Sequence, residues 1–224
     1  MSVKILAIDT ATDYGSVAIT CDDEILQREI KAPRQHSVEI LSMIDALLAE
    51  AGFKKTQLDA VSFGRGPGSF TGIRLATSIA QAIAFGLNIP IIPISTLQAL
   101  AQRAWDEYQY DAVLVALDAR LHQVYWGCYQ RDTHTNMMLL WGDEQLESPQ
   151  NIQWPKELSV VWKGIGNGWE HYKKHLKGEW IAGVYPKAYN IAAIARYEYQ
   201  EGRILSALTV KPFYLRNQVA QIAS

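Results

Sequence analysis

The sequence predicts an α/β protein of two lobes, each built as three strands, helix, strand, helix. Three observations carry that reading. An apolar run ending in aspartate, Val3 to Asp9, returns as Ala112 to Asp118. Each is followed by two further strand-like runs, and in each half helical spacing then replaces the period of two. Two such units side by side form lobes with a cleft between them, so the first-strand aspartates Asp9 and Asp118 are expected to face it. The boundary is expected near Trp105 to Tyr110, giving lobes 1–107 and 108–224.

The elements follow in order. Val3-Lys4-Ile5-Leu6-Ala7-Ile8 is a short strand, a polar turn leads to Gly15 to Thr20, and Asp22-Asp23 turns the chain into Glu24 to Ile30. From Ser37 to Ala51 the apolar residues Val38, Leu41, Ile44, Leu48 and Ala51 fall at helical spacing; Ile40 and Leu47 widen the stripe, and Gly52 ends it. Ala60-Val61-Ser62-Phe63 reads as a buried strand that runs through a glycine-rich loop into a nearly uncharged helix, Ile73 to Leu87. Ile91 to Ile94 is another apolar run, and Ser95 caps a helix to about Tyr108. In the second half, strands at Val124 to Gln130, Met137 to Trp141 and Leu158 to Trp162 precede Gly164-Ile165-Gly166-Asn167-Gly168 and a helix, and Asn190 to Gln200 is the last helix.

Composition excludes several classes. The 224 residues are 49% hydrophobic and 20% charged, which describes a folded globular chain rather than a disordered one. A net charge of −2 gives no global electrostatic reason to bind nucleic acid. Met1 to Lys4 leads straight into a strand, without the pattern of a secretory signal, and Arg74, Gln81 and Asn88 interrupt the most apolar stretch. A cytoplasmic protein with no membrane span is expected. Cys21 and Cys128 sit in predicted strands as small hydrophobes, with neither a disulfide nor a zinc spacing.

The loop Gly64-Arg65-Gly66-Pro67-Gly68-Ser69-Phe70-Thr71-Gly72 admits two readings. It can be a tight turn that packs helix against sheet, with Ser69 or Thr71 as the helix cap, or its N–H groups can hold an anion, with Gly66, Gly68, Ser69, Thr71, Gly72 and Arg74 as contacts. It satisfies neither the P-loop nor the dinucleotide pattern. His171 and His175 are spaced to share a helical face, but Tyr172, Lys173 and Lys174 between them favour a solvated basic helix over a metal site. Most of the seven tryptophans are expected in the core of the second lobe. Lys211 and Arg216, interleaved with Phe213 and Tyr214, are too few for a phosphate track.

The duplicated meander resembles the actin/hexokinase/Hsp70-type (ASKHA) fold. Within it, Ile8-Asp9-Thr10-Ala11-Thr12, Gly66-Pro67-Gly68-Ser69-Phe70-Thr71-Gly72-Ile73-Arg74, Asp118-Ala119-Arg120 followed by Val124-Tyr125, and Pro212-Phe213-Tyr214-Leu215-Arg216 closely resemble the bacterial TsaB (YeaZ) family. The likeness spans the whole chain. It implies a non-catalytic subunit in threonylcarbamoyladenosine (t6A) formation at position 37 of tRNAs that read codons beginning with adenine. The family pairs with the enzyme TsaD and, with the ATPase TsaE, supports transfer of the threonylcarbamoyl group from its adenylate; tRNA is met through the complex. TsaD carries a metal-binding His-x-x-x-His pair, where this chain has Thr96 and Leu100, and leucine cannot ligate a metal.

The resemblance leaves rival readings to weigh. Asp9 and Asp118 can position a magnesium nucleotide, as ASKHA kinases do, or Asp118 can form a structural ion pair with Arg120. A small-molecule kinase of the same fold, or a metallopeptidase, is the alternative. No intrinsic cofactor or metal is expected, with ATP or ADP confined to a joint with TsaE. The helices at 37–51 and 73–87 are broadly apolar, so each is expected to offer TsaD a second face through Ile40, Ile44, Leu47, Leu48, Leu75, Ile79 and Ile83, and to form a homodimer in its absence; the plain alternative is that both are enclosed within one lobe.

Overall fold

The structure is a computed structural model describing residues 3–21, 24–31, 36–155 and 160–216. Its first sheet contains β1 (Ile5–Asp9), β2 (Tyr14–Cys21), β3 (Glu24–Lys31), β4 (Ala60–Gly64) and β5 (Ile91–Ile94) in the order β3-β2-β1-β4-β5. The second holds β6 (Ala112–Arg120), β7 (Gln123–Arg131), β8 (Met138–Glu147), β9 (Lys163–Ile165) and β10 (Trp180–Ile181) in the order β10-β9-β6-β7-β8. Both sheets therefore repeat one order, with the first strand antiparallel to the second and parallel to the fourth. This is a two-lobed α/β fold in which the two sheets share one topology. β1 and β4 are buried along their whole length, which is why they read as continuous apolar runs rather than as alternation.

Among the described residues, five α-helices cover the sheets. α1 (His36–Glu50) and α2 (Phe70–Leu87) pack on one face of the first sheet, and α5 (Ala188–Gln200) on the other. α3 (Thr96–Tyr108) covers one face of the second sheet. The short α4 (Asn167–His171) and a tryptophan cluster around the fully buried Trp169 cover its other face. Only Trp141 of that half is exposed, stacked on Trp162 at 5.2 Å. A cut at 107/108 follows the chain but not the core, because α5 of the second half closes the first sheet while α3 of the first half covers the second.

The structure corrects several expectations. The second half does not repeat the helix after its third strand: among the described residues there is only a 3₁₀ turn, Pro149–Asn151. Its fourth strand is Lys163–Ile165, past the end of the expected run at Trp162, and the absence of a Cβ on Gly164 leaves room for the Trp169 ring; Leu158, Ser159 and the Asp22-Asp23 turn lie outside the described residues, as do the side chains of Cys21 and His36. α4 ends at His171, and His175 falls in the following turn, so the two histidines share no helical face. Instead His171 Nδ1 sits 2.8 Å from the Asn167 carbonyl.

The partner-face reading also changes. Ile40, Ile44, Leu47 and Leu48 are 0–3% exposed in the core beneath α1, so they are core rather than interface. The outer stripe of α1 is Val38 and Leu41, at 73% and 53% exposed. α2 turns its small residues, Ala76, Thr77, Ala80 and Ala84, onto the sheet, and so leaves Leu75, Ile79 and Ile83 half-buried and Phe85 exposed. By length and composition alone, α2 is apolar enough to cross a membrane. Its alanine face instead packs on β4.

Candidate functional site

A cleft of about 430 Å³ lies between the lobes, and the four motif segments converge on it. The β1–β2 turn supplies Ala11 to Asp13, the glycine loop supplies Pro67 to Phe70, the end of β6 supplies Asp118 to Leu121, and the C-terminal segment supplies Phe213 to Arg216. Residues more than 200 positions apart thus share one lining because β1 and β6 are the central strands of their sheets.

The glycine loop is clamped to the β1–β2 turn. Ser69 N–H donates to the Ala11 carbonyl at 2.8 Å, and Ser69 Oγ caps α2 by accepting from Gly72 N–H at 3.3 Å. Thr10 Oγ1 donates to the Gly72 carbonyl at 2.6 Å. A Cβ on Gly68 would stand 2.5 Å from the Ala11 carbonyl oxygen, and one on Gly72 would collide with the Thr10 carbonyl. Close approach of two backbones is therefore what these glycines permit. Gly66, at φ +104°, leads into a cis bond to Pro67. Thr71 and Arg74 are exposed; Arg74 lies 3.6 Å over the Phe70 ring, and its Nε donates to Tyr214 Oη at 2.8 Å.

The two aspartates part company. Asp9 does not face the cleft: it is fully buried behind the loop, against Gly64. Its Oδ1 accepts from Ala11 N–H at 3.2 Å while Oδ2 has no partner among the described residues. Burial pushes its pKa up to about 7, only partly offset by the backbone N–H groups of Ala11 and Thr10. Asp118 does line the cleft, where it forms an ion pair with Arg120. Arg120 Nη1 is 3.1 Å from Oδ2, while Tyr172 Oη and Arg120 N–H each donate to Oδ1 at 2.9 Å. The lining carries two carboxylates, Asp13 and Asp118, and two guanidiniums, Arg120 and Arg216, so it has no formal excess of positive charge to hold a polyphosphate.

Thr96 and Leu100 are both fully buried in the first two turns of α3, with Leu100 packed into the core against the second sheet. Among the described residues no three His, Cys, Asp or Glu side chains gather as a metal site.

A family model described as "TsaD: tRNA N6-adenosine threonylcarbamoyltransferase" matches residues 27–155. The tRNA threonylcarbamoyladenosine biosynthesis protein TsaB of Haemophilus influenzae is 38% identical over 97% of this chain and 95% of its own length. The chain belongs to the TsaB family. The TsaB of Escherichia coli is 37% identical over 97% of this chain and 96% of its length. YeaZ from Pseudomonas aeruginosa superposes with a TM-score of 0.91 at 37% identity, covering 96% of this chain and all of that one. The TsaB family match runs through all four motif segments of the cleft.

Sequence reasoning missed two parts of this site. The turn Arg120-Leu121-His122 holds three successive residues at φ of 62°, 53° and 56°, a left-handed run that no glycine announces. The C-terminal segment has no period to betray that it returns to the cleft. Its alternating aromatic and basic residues are the available signal, but read as a family motif and as too short a run for a phosphate track they do not by themselves indicate the cleft.

Proposed function

We propose that this chain is a non-catalytic subunit in the formation of t6A at position 37 of tRNAs reading codons that begin with adenine. It works with TsaD and TsaE in transferring the threonylcarbamoyl group from threonylcarbamoyl-AMP. The observation that carries this reading is the near full-length relationship to TsaB proteins, joined to a family model for TsaD. Leu100 supports the absence of catalysis, because a buried leucine stands where the resemblance to TsaD calls for a metal-binding histidine. The kinase alternative needs a cationic phosphate site, and the charge-balanced lining and buried Asp9 speak against one in this chain. Any ATP or ADP is then held at a joint with TsaE. Purified alone, the chain is expected to turn over no ATP with sugar or other small acceptors; robust turnover abolished by Asp118→Ala would overturn the reading.

The partner face proposed for TsaD, and for a homodimer in its absence, is the outer side of α1 and α2. Val38, Leu41 and Phe85 are exposed there, beside the half-buried Leu75, Ile79 and Ile83. An amphipathic pair of helices with an apolar outer side is unusual on a monomer. Leu41→Asp and Phe85→Asp are expected to leave stability within about 0.5 kcal/mol, as surface changes do, and to yield monomers that no longer capture TsaD. Unchanged assembly in sedimentation velocity would move the interface elsewhere. A cytoplasmic location accords with a tRNA-modifying role.

A further inference from the structure

After α5 the chain runs along the first lobe for a dozen residues before it reaches the cleft. Leu205 forms an antiparallel bridge with Ile91 at the sheet edge, each N–H donating to the other's carbonyl at 2.9 Å. Gln81 Nε2 of α2 donates to the carbonyls of Ala207 and Val210 at 2.9 and 3.1 Å. Phe213 N–H donates to the Arg65 carbonyl at 2.9 Å, and the Arg65 guanidinium lies 4.5 Å over the Phe213 ring.

Arg216 then crosses the cleft. Its Nη2 donates to the Ala119 carbonyl at 3.0 Å and to Gln123 Oε1 at 2.8 Å, gripping the β6–β7 turn on both flanks. Between those two acceptors lie the three left-handed residues. A run of non-glycine residues in that region persists only where its surroundings over-determine it. The charged grip of Arg216 is one such determinant, and the hydrogen bond from Arg120 N–H to Asp118 is another.

A second joint lies behind the first. Arg65 Nη2 is 3.9 Å from Glu144 Oε2 on β8, while Glu144 Oε1 accepts from Tyr129 Oη at 2.5 Å and from Ser95 Oγ at the head of α3. Arg65 thus touches the strap through Phe213 and the second sheet through a carboxylate whose side chain is 6% exposed.

We propose that residues 205–216 are a latch that fixes the angle between the lobes across the cleft, with Arg216 as its bolt. The chain's own C-terminal strap sets how far the cleft opens. Releasing Arg216 frees the second lobe to rotate about α3 and α5 while the rest of the strap stays fastened to the first lobe.

The test is made on the full chain carrying Cys21→Ser, Ala49→Cys and Gln145→Cys. Residues 49 and 145 are exposed, one on each lobe. Cys128 needs no replacement, because it is buried and its thiol is pushed up to about 12, so it does not take the label. In Arg216→Ala the spin-label distance distribution between the lobes is expected to broaden and shift. Amide exchange in residues 118–124 should quicken roughly tenfold, as the loss of a charged hydrogen bond implies, while β1 and β4 keep their protection. Should Arg216→Ala fail to fold, Gln123→Ala, which removes one of the two acceptors, should show the same regional pattern at smaller size. An unchanged distance distribution in either folded variant, or a rise in exchange spread evenly through both sheets, would overturn the latch.

Discussion

Gly72→Ala is expected to cost about 3 kcal/mol of folding stability, the upper range for forcing an atom into a packed interior. The new Cβ would fall on the Thr10 carbonyl, and neither side can yield freely. Thr10 is tied to Gly72 by its own hydroxyl, and the loop is tied to Ala11 through Ser69. Gly86, on the same helix, has open space around its Cβ position and no positive φ, so Gly86→Ala should be neutral or stabilising by up to about 1 kcal/mol. Urea unfolding of both variants checks the pair. Equal midpoints would show that the loop is not held against the β1–β2 turn as described.

The second large effect is a pH dependence centred on Asp9. Its folded pKa, about 7, stands above the ordinary 3.8 because burial disfavours the carboxylate. A raised pKa means that the folded state holds a proton the unfolded chain releases. The stability Asp9 contributes is therefore complete below about pH 4, is lost progressively as pH rises towards 7, and stays lost above that. The full span corresponds to a magnitude on the order of 4 kcal/mol. Asp9→Asn, always neutral and close in shape, should match the parent near pH 4 and exceed it in stability at pH 8. Subtracting the parent's stability from the variant's at each pH removes groups that titrate in both, such as Asp132, which hydrogen bonds to Thr135 hold below the usual carboxylate range. A flat difference from pH 4 to 8 would mean that Asp9 is solvated or paired.

Much of the fold was legible because local signals and global packing agree. Ser95 reads as a cap and accepts from the N–H groups of Leu97 and Gln98 at 3.1 and 3.3 Å. The runs ending in Asp9 and Asp118 mark the central strands, and their recurrence gives away the duplication. What the sequence could not separate is the buried from the outer side of α1, because Ile40 and Leu41 are alike as letters and differ only in which side of the helix meets the sheet. The fate of Asp9 was hidden for a similar reason: an aspartate at a strand end points either into a cleft or behind a loop, and here Gly64 and the glycine loop close over it. The Arg216 grip pairs residues 93 and 97 positions apart, and no local pattern encodes such a contact.

Nucleoside mass spectrometry of bulk tRNA tests the central claim most directly. It is applied to a bacterium depleted of its own TsaB and then supplied with this chain. Depletion is expected to remove threonylcarbamoyladenosine, and this chain is expected to restore it. Normal levels of the modified nucleoside in the depleted strain, with no second copy present, would contradict the account, as would failure of this chain to restore it while folded and bound to TsaD.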